Sequence, residues 1–214
     1  MTSRHARDRR VRGTATIEFL IVAFAVLVPL VFATFEIALL AVARQTLGVA
    51  TLLAARAGAT GHGDAGAMRV ALARGLVPLH ASRGTSAAFA ASLADAQRPD
   101  RTRLEVWNPV PASFTDFGVV VDGRQEIPNV WSRARLRIGA ASRQTIAEAN
   151  QLGLTVSLCR PLVFPITAPI FIAGLRLVDA SPFALACYAR GGVVLHARAL
   201  VHMHSPARRT ALPL

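Results

Sequence analysis

Near its N-terminus the chain contains an apolar run of 30 residues, Thr14 to Ala43, interrupted only by Glu18, Pro29 and Glu36. About 20 apolar residues are enough for a helix to cross the hydrocarbon core of a bilayer. The apolar region of a secretory signal peptide is shorter than this. The run therefore predicts a retained transmembrane helix over residues 14–43, with most of the chain beyond it.

Arginines before the run predict the orientation of this helix. Five of them lie between Arg4 and Arg12, and none lies within the run. Cytoplasmic flanks of membrane helices carry an excess of positive charge. We therefore expect residues 1–13 to form a basic cytoplasmic leader and the C-terminal domain to lie across the membrane.

Glu18 is an unusual residue for such a helix, because a carboxylate near the centre of a lipid-facing helix costs about 3 kcal/mol. If the chain were cut after Gly13, the new α-amine of Thr14 would lie four residues before Glu18. In a bundle of packed helices this amine and carboxylate can neutralise each other. The alternative is that Glu18 lies among lipid headgroups without a specific partner.

Glu36 follows Glu18 by 18 residues, which is five turns of an α-helix, so the two carboxylates are predicted on one face. The rise of roughly 27 Å places them near opposite borders of the hydrocarbon core. We group both as residues for assembly or charge pairing, although for Glu36 a headgroup position without a specific partner is the favoured interpretation. Pro29 predicts a kink between them.

The order of basic leader, Gly13, four small or apolar residues, Glu18, Phe19 and apolar helix resembles the cleavage site of type IV prepilins. This order of residues is also similar to the TadE-like family of minor pilins or pseudopilins in tight-adherence (Flp) pilus systems. The same similarity extends to Phe35–Ile37 and to stretches 43–50 and 54–58. Stretches 127–129, 145–152 and 162–165 are more loosely similar to longer members. Thr14 departs from the aromatic residue of type IVa pilins, and Pro29 lies further along than the usual proline.

The resemblance implies that a prepilin peptidase cleaves between Gly13 and Thr14. It implies a single-pass protein of the bacterial inner membrane, with its C-terminal domain in the periplasm and possible entry into a pilus. The implied partners are the peptidase, other pilins or pseudopilins, and the pilus assembly platform.

The net charge of +12 would ordinarily raise the question of nucleic-acid binding. All 24 basic residues are arginine, however, and lysine is absent. Together with the abundant alanine, this is typical of coding bias in a high-GC genome. We therefore expect a cationic exported surface and no nucleic-acid partner.

Beyond the apolar run, the pattern predicts an α+β fold: a helical extension over residues 44–63 and a periplasmic domain over 64–214. Asp64 and Thr85 are predicted helix N-caps, and Thr145 with Glu148 forms a capping box. The predicted strands share alternating or β-branched sequence: Leu104–Trp107, Phe117–Val121, Val130–Ile138, Leu154–Leu158 and Val193–His204.

The stretch Pro161–Leu175 is as apolar as a membrane segment but is only 15 residues long and contains Pro161, Pro165 and Pro169. Proline disrupts a helix interior. We therefore predict no regular helix and no second membrane span here. The expectation is a loop that packs on the core or dips into the membrane interface.

Candidate chemistry is sparse in this sequence. Cys159 and Cys187 are the two cysteines, and in an oxidising periplasm they predict a disulfide worth roughly 3.5 kcal/mol, the alternative being two reduced buried thiols. His196, His202 and His204 share a predicted strand face, for which a solvated surface is favoured over a metal site. We predict no enzyme, cofactor or metal.

Two functions remain open at this point. In the first, the chain is a prepilin-like structural subunit whose helix is cut after Gly13 and packs with other pilin helices. In the second, it is a single-pass membrane protein whose periplasmic domain binds a ligand or signals, and Glu18 is incidental. The N-terminal residue of the membrane form distinguishes them.

Overall fold

A continuous helical segment from Val11 to Thr60 forms the N-terminal part of the chain. The computed structural model describes residues 11–129 and 137–213. The fold is α+β, as predicted: shorter helices and two antiparallel sheets of three strands each follow the long helical segment. Among the described residues, Thr16–Thr60 is the one helix long and apolar enough to cross a membrane.

The long segment has three parts: helix α1 (Val11–Val22), a π-helical segment (Ala23–Leu27) and helix α2 (Val28–Thr60). The π-helical segment ends at Leu27, two residues before Pro29, which lies in the first turn of α2. A π turn takes up one residue more than an α turn. The spacing between Glu18 and Glu36 therefore no longer equals five whole turns, and the prediction of a shared face is wrong.

The second half of α2 packs into the domain, since small and apolar residues recur there at helical spacing. Its buried apolar residues include Ala43, Leu47, Ala50, Ala54, Ala55 and Ala59. The helix ends at Thr60, within the predicted extension, and the backbone N–H of Gly63 closes it by donating to the Gly58 carbonyl (2.8 Å). The backbone N–H groups of His204 and Ser205 donate to the Ala59 carbonyl, so the C-terminal segment also stabilises this end.

Helix α3 (Ala65–Leu76) lies against α2 and is followed by a 3₁₀ segment (Val77–Arg83) and helix α4 (Thr85–Gln97). Asp64 is the N-cap of α3, as predicted, and accepts a hydrogen bond from the backbone N–H of Ala67 (2.9 Å). The prediction of Thr85 as a cap is wrong. Gly84 holds that position with a positive φ of 77° and no side chain, so Thr85 is already helical.

The larger sheet has the order β1-β4-β5, and its strands are β1 (Thr102–Asn108), β4 (Gln151–Pro161) and β5 (Gly192–His202). Leu152, Leu154 and Val156 are fully buried in the core that the sheet shares with α2 and α3. Because β4 is the central strand, both its edges are hydrogen-bonded to neighbouring strands. It is also longer than the predicted Leu154–Leu158. The strand predicted to continue to His204 ends at His202.

The smaller sheet has the order β2-β3-β6, formed by β2 (Val119–Val121), β3 (Arg124–Ile127) and β6 (Ala207–Arg208). Phe117 was predicted in a strand but ends helix α5 (Pro111–Phe117), which begins with a proline in its first turn. Most of the predicted strand Val130–Ile138 lies outside the described residues. Ile138, at its end, forms an isolated bridge with Thr145.

Helix α6 (Ile146–Ala149) begins with the predicted capping box. The Thr145 hydroxyl accepts from the backbone N–H of Glu148, and the Glu148 carboxylate accepts from the backbone N–H of Thr145 (2.7 Å). These reciprocal bonds satisfy two donors that a helix start otherwise leaves free.

The prediction that prolines exclude a helix from Pro161–Leu175 is wrong. Helix α7 (Ala168–Arg176) occupies the second half of this stretch, and α8 (Pro182–Ala189) follows it. Pro169 lies in the first turn of α7, where a backbone N–H would have no helical partner, so proline is tolerated there. We call Pro161–Val178 the proline-rich segment.

Candidate functional site on the long helix

The most unusual polar residue of the long helix is Glu36, which is 1% exposed despite its apolar surroundings. Its carboxylate accepts hydrogen bonds from two successive backbone N–H groups of the proline-rich segment. Val163 donates to both oxygens, at 3.2 and 3.1 Å, and Phe164 donates to Oε2 at 2.9 Å. Hydrogen bonds to an ionised acceptor are stronger than those between neutral groups.

An aromatic contact lies one turn before this carboxylate. Residues four apart share a helix face, so Phe32 and Glu36 point to the same side of α2. The ring of Phe32 packs on the ring of Phe164, with centroids 5.0 Å apart. Glu36 therefore binds the backbone of Val163 and Phe164, and Phe32 packs on the ring of Phe164.

The proline-rich segment is also tied to the domain at its N-terminal end. Cys159 and Cys187 form the predicted disulfide, with their Cα atoms 5.7 Å apart, and it joins β4 to α8. The backbone N–H of Leu162 donates to the Gly191 carbonyl at 3.1 Å. The segment is thus held on one side by the domain and on the other by the long helix.

The predicted residues at the start of the helix are not brought to Glu36. Gly13 and Thr14 lie within α1, and Glu18 is exposed. The favoured interpretation of Glu36, a carboxylate without a specific partner, is wrong. Its observed partners are backbone N–H groups of the same chain rather than an opposite charge. The sequence shows a carboxylate within the apolar run and an apolar, proline-rich segment elsewhere, but no feature of it pairs the two.

Of the three histidines grouped on a predicted strand face, His196 and His202 lie in β5, and His204 lies beyond its end. His196 Nδ1 lies 2.9 Å from the Ser157 hydroxyl, and its Nε2 lies 3.9 Å from Asp179. Within residues 11–129 and 137–213 no group of three histidine, cysteine or acidic residues is placed to hold a metal ion.

Asp116 is an acidic residue with a defined structural role in the domain. The Ser142 hydroxyl (2.6 Å) and the backbone N–H groups of Ser142 (2.7 Å) and Ala141 (3.1 Å) donate to its carboxylate. These hydrogen bonds, that of the Ser142 hydroxyl first, hold the pKa of Asp116 below its ordinary value of 3.8. Sequence reasoning missed this contact, because the two partners lie 26 residues apart.

A groove of about 470 Å³ lies between the 3₁₀ segment, α4 and the end of β4. Arg83, Arg101 and Arg160 contribute to its lining and make it cationic. His80 and Asp95 also line it, and their side chains approach to 3.1 Å. Such a groove suits an anion, but the His80–Asp95 pair already uses part of its polar surface.

No protein-family model, curated protein or solved structure matches this chain.

Proposed function

We propose that this chain is a membrane-anchored minor pilin or pseudopilin, a structural assembly subunit of a tight-adherence (Flp, type IVb-like) pilus or secretion system. One observation carries the proposal. The long helix is exposed and apolar in its first half, where it presents Glu18, and one face of its second half is buried by its own domain. Such a helix both anchors a domain and offers a surface to neighbouring helices.

The exposed half is too apolar to lie in water. Phe19 and Phe24 are 71% and 69% exposed, and Ile21 and Leu30 are exposed to a similar degree. Contiguous apolar surface of this kind marks a membrane or protein contact. Lipid covers it before assembly, and other pilin helices cover it afterwards.

Glu18 gives that surface its specificity. After cleavage between Gly13 and Thr14, the α-amine of Thr14 is available to the Glu18 carboxylate of a neighbouring subunit. Pairing them removes both charges from the apolar bundle, whereas a single unpaired charge there is strongly unfavourable. The similarity of residues 13–58 to the TadE-like family supports the same arrangement, with the leader in the cytoplasm and the domain in the periplasm.

The alternative function is a single-pass membrane protein whose periplasmic domain binds a ligand. Its support is the cationic groove lined by Arg83, Arg101 and Arg160. That function does not need a cleaved leader, and it leaves Glu18 without a role.

The N-terminal residue of the membrane form tests the proposal. In cells that contain the prepilin peptidase, intact mass spectrometry should show Thr14 as the first residue. Gly13→Leu should remain uncut, because a peptidase that accepts glycine at this position has no room for a side chain. Gly48→Leu is the matched control, since a Cβ at Gly48 meets no atom within 4 Å, and it should be processed normally. A natural chain that begins at Met1 or Thr2 contradicts the proposal.

A further inference from the structure

We propose that the proline-rich segment is a second membrane element, which lies in the outer interface of the bilayer and contacts lipid beside the spanning helix. The inference rests on the proposed anchoring of the long helix in a membrane. It adds a lipid-contacting surface that belongs to the folded domain rather than to the anchor.

The position of the segment along the helix is the first argument. Val163 and Phe164 are held against Glu36 and Phe32. Glu36 precedes Arg44, the first charged residue after the apolar run, by 8 residues, or roughly 12 Å of helix. Phe32 lies a further turn back. The proline-rich segment is therefore attached at the level of apolar helix residues, below the point where the helix becomes polar.

The composition of the exposed surface is the second argument. Arg176 is the one charged residue between Pro161 and Val178. No residue of α7 is fully buried. Five large apolar side chains of the segment are more than half exposed: Val163 (54%), Ile166 (56%), Ile170 (69%), Leu177 (89%) and Val178 (84%). An amphipathic or apolar helix at this level lies in the interface plane, with its apolar side chains in the acyl-chain boundary.

The backbone of the segment is the third argument, because lipid supplies no hydrogen-bond partners for free N–H groups. Its three prolines have no N–H to satisfy. The Glu36 carboxylate accepts from Val163 and Phe164, and the carbonyl groups of Gly191 and Phe164 accept from Leu162 and Ala168. Four N–H groups of this irregular backbone, those of Leu162, Val163, Phe164 and Ala168, are thus satisfied within the protein where water is scarce. This gives the buried carboxylate a physical role.

The flanking charges agree with an interfacial position. Arg160 precedes the segment and Arg176 lies near its end. Arginine can bury its aliphatic stem along apolar surface while its guanidinium reaches phosphate groups. The apolar side chains, the level at which the segment is attached to the helix and the flanking arginines therefore all favour lipid as the molecule that covers this surface.

Site-specific photo-crosslinking in the full-length chain tests the inference. The photoreactive residue p-benzoylphenylalanine would replace Ile170 or Leu177, and each chain would be placed in nanodiscs of phosphatidylethanolamine and phosphatidylglycerol. We expect intact mass spectrometry after irradiation to show phospholipid adducts at both positions. Val120, 74% exposed in the small sheet, is the matched control and should give no lipid adduct. Absence of free thiol would show that each variant keeps its disulfide.

A further position separates failure of this inference from failure of the anchor. Phe24, exposed on the spanning helix, should give a lipid adduct if the helix is in the bilayer. If Phe24 reacts with lipid while Ile170 and Leu177 do not, or react with a second copy instead, the interfacial segment is disproved and the anchor stands. If Phe24 also fails to react with lipid, both the membrane anchor and the interfacial segment are disproved.

Discussion

At the scale of single residues, Glu36 shows how a carboxylate is accommodated in an apolar helix without an opposite charge. Three hydrogen bonds from Val163 and Phe164 replace its water shell. The cost of burying a charge is reduced when such donors are already in place. The residue therefore stabilises the contact between helix and domain.

The first prediction concerns the stability that this carboxylate provides. Glu36→Ala should lower the free energy of unfolding by about 2 kcal/mol, since hydrogen bonds to a charged group contribute roughly that much. Glu36→Gln should lose less, because one acceptor oxygen remains. Denaturant unfolding of the full chain in detergent micelles measures both.

Glu105→Ala is the control for Glu36→Ala, since Glu105 is exposed and its ion pair with Arg103, at 3.5 Å, lies at the surface. It should change stability little. If Glu36→Ala and Glu105→Ala unfold at the same denaturant concentration, the contact does not hold the segment.

Asp116 provides a prediction about pH. Hydrogen bonds from Ser142 and Ala141 lower its folded pKa below 3.8, its ordinary value. The carboxylate therefore stabilises the fold fully above about pH 4, and this contribution is lost as the pH falls through the folded pKa.

Asp116→Asn should consequently be less stable than the natural chain at neutral pH, and the difference should shrink on acidification below pH 4. Thermal unfolding between pH 3 and pH 7 measures it. Asp122→Asn, a change in an exposed turn with a positive φ of 49°, should leave the pH profile unchanged. A constant difference between Asp116→Asn and the natural chain at all pH values would disprove the role of ionisation.

At the scale of elements, the contact between α2 and α3 depends on the absence of a side chain at Gly75. A Cβ at that position would lie 2.5 Å from the Cα of Ala50 and 2.6 Å from its Cβ. A backbone atom cannot move aside alone, so the two helices would have to separate. Small residues at both positions allow the helices to approach closely and to bury Leu47, Leu72 and Leu76.

Gly75→Ala should therefore destabilise the protein by about 1–3 kcal/mol, the usual range for overpacking, although alanine is the better helix former. Gly48→Ala is the matched control: the same substitution in α2 meets no atom within 4 Å. It should stabilise by about 0.5–1 kcal/mol, because glycine has the larger conformational entropy when unfolded. Equal effects of the two substitutions would show that the helices are not in close contact.

At the scale of the whole molecule, the long helix joins two environments. Its first half is covered by lipid or by other subunits in the proposed assembly, and one face of its second half is covered by the domain. Glu18 and Glu36 belong to these different environments. Glu18 is exposed in the single chain, whereas Glu36 is satisfied within it. Their substitutions should therefore affect different properties.

Glu18→Ala should leave the stability and membrane insertion of the single chain unchanged or improved, since it removes a charge from an apolar helix. Co-purification with partner pilins should fall, because the Thr14 amine loses its counter-charge. Glu18→Gln should behave in the same way, which separates charge from size. Glu36→Ala is the contrasting variant, with lower chain stability. Undiminished co-purification of partners with Glu18→Ala would make Glu18 a bystander.

Much of the fold could be predicted from the sequence alone, wherever its cause is local. The apolar run with its extension predicts the long helix, and Asp64 and the Thr145–Glu148 pair predict their helix starts. Alternating or β-branched sequence predicts β1 and β5. The even cysteine pair predicts the disulfide. Each of these depends on residues close together in the chain or on the chemistry of one residue pair.

Only the tertiary structure decided where the proline-rich segment lies and what Glu36 does. The three prolines predicted that no helix forms in this segment. Pro169 lies in the first turn of α7, where proline is tolerated, and the structure was needed to show where that helix begins. The Glu36 contact joins residues 127 positions apart, and no local pattern encodes such a pairing. The sequence by itself determined which segments are helical or apolar, whereas long-range packing determined which of them meet. Every residue except proline has the same backbone N–H group, so the sequence does not mark which of these groups binds the Glu36 carboxylate.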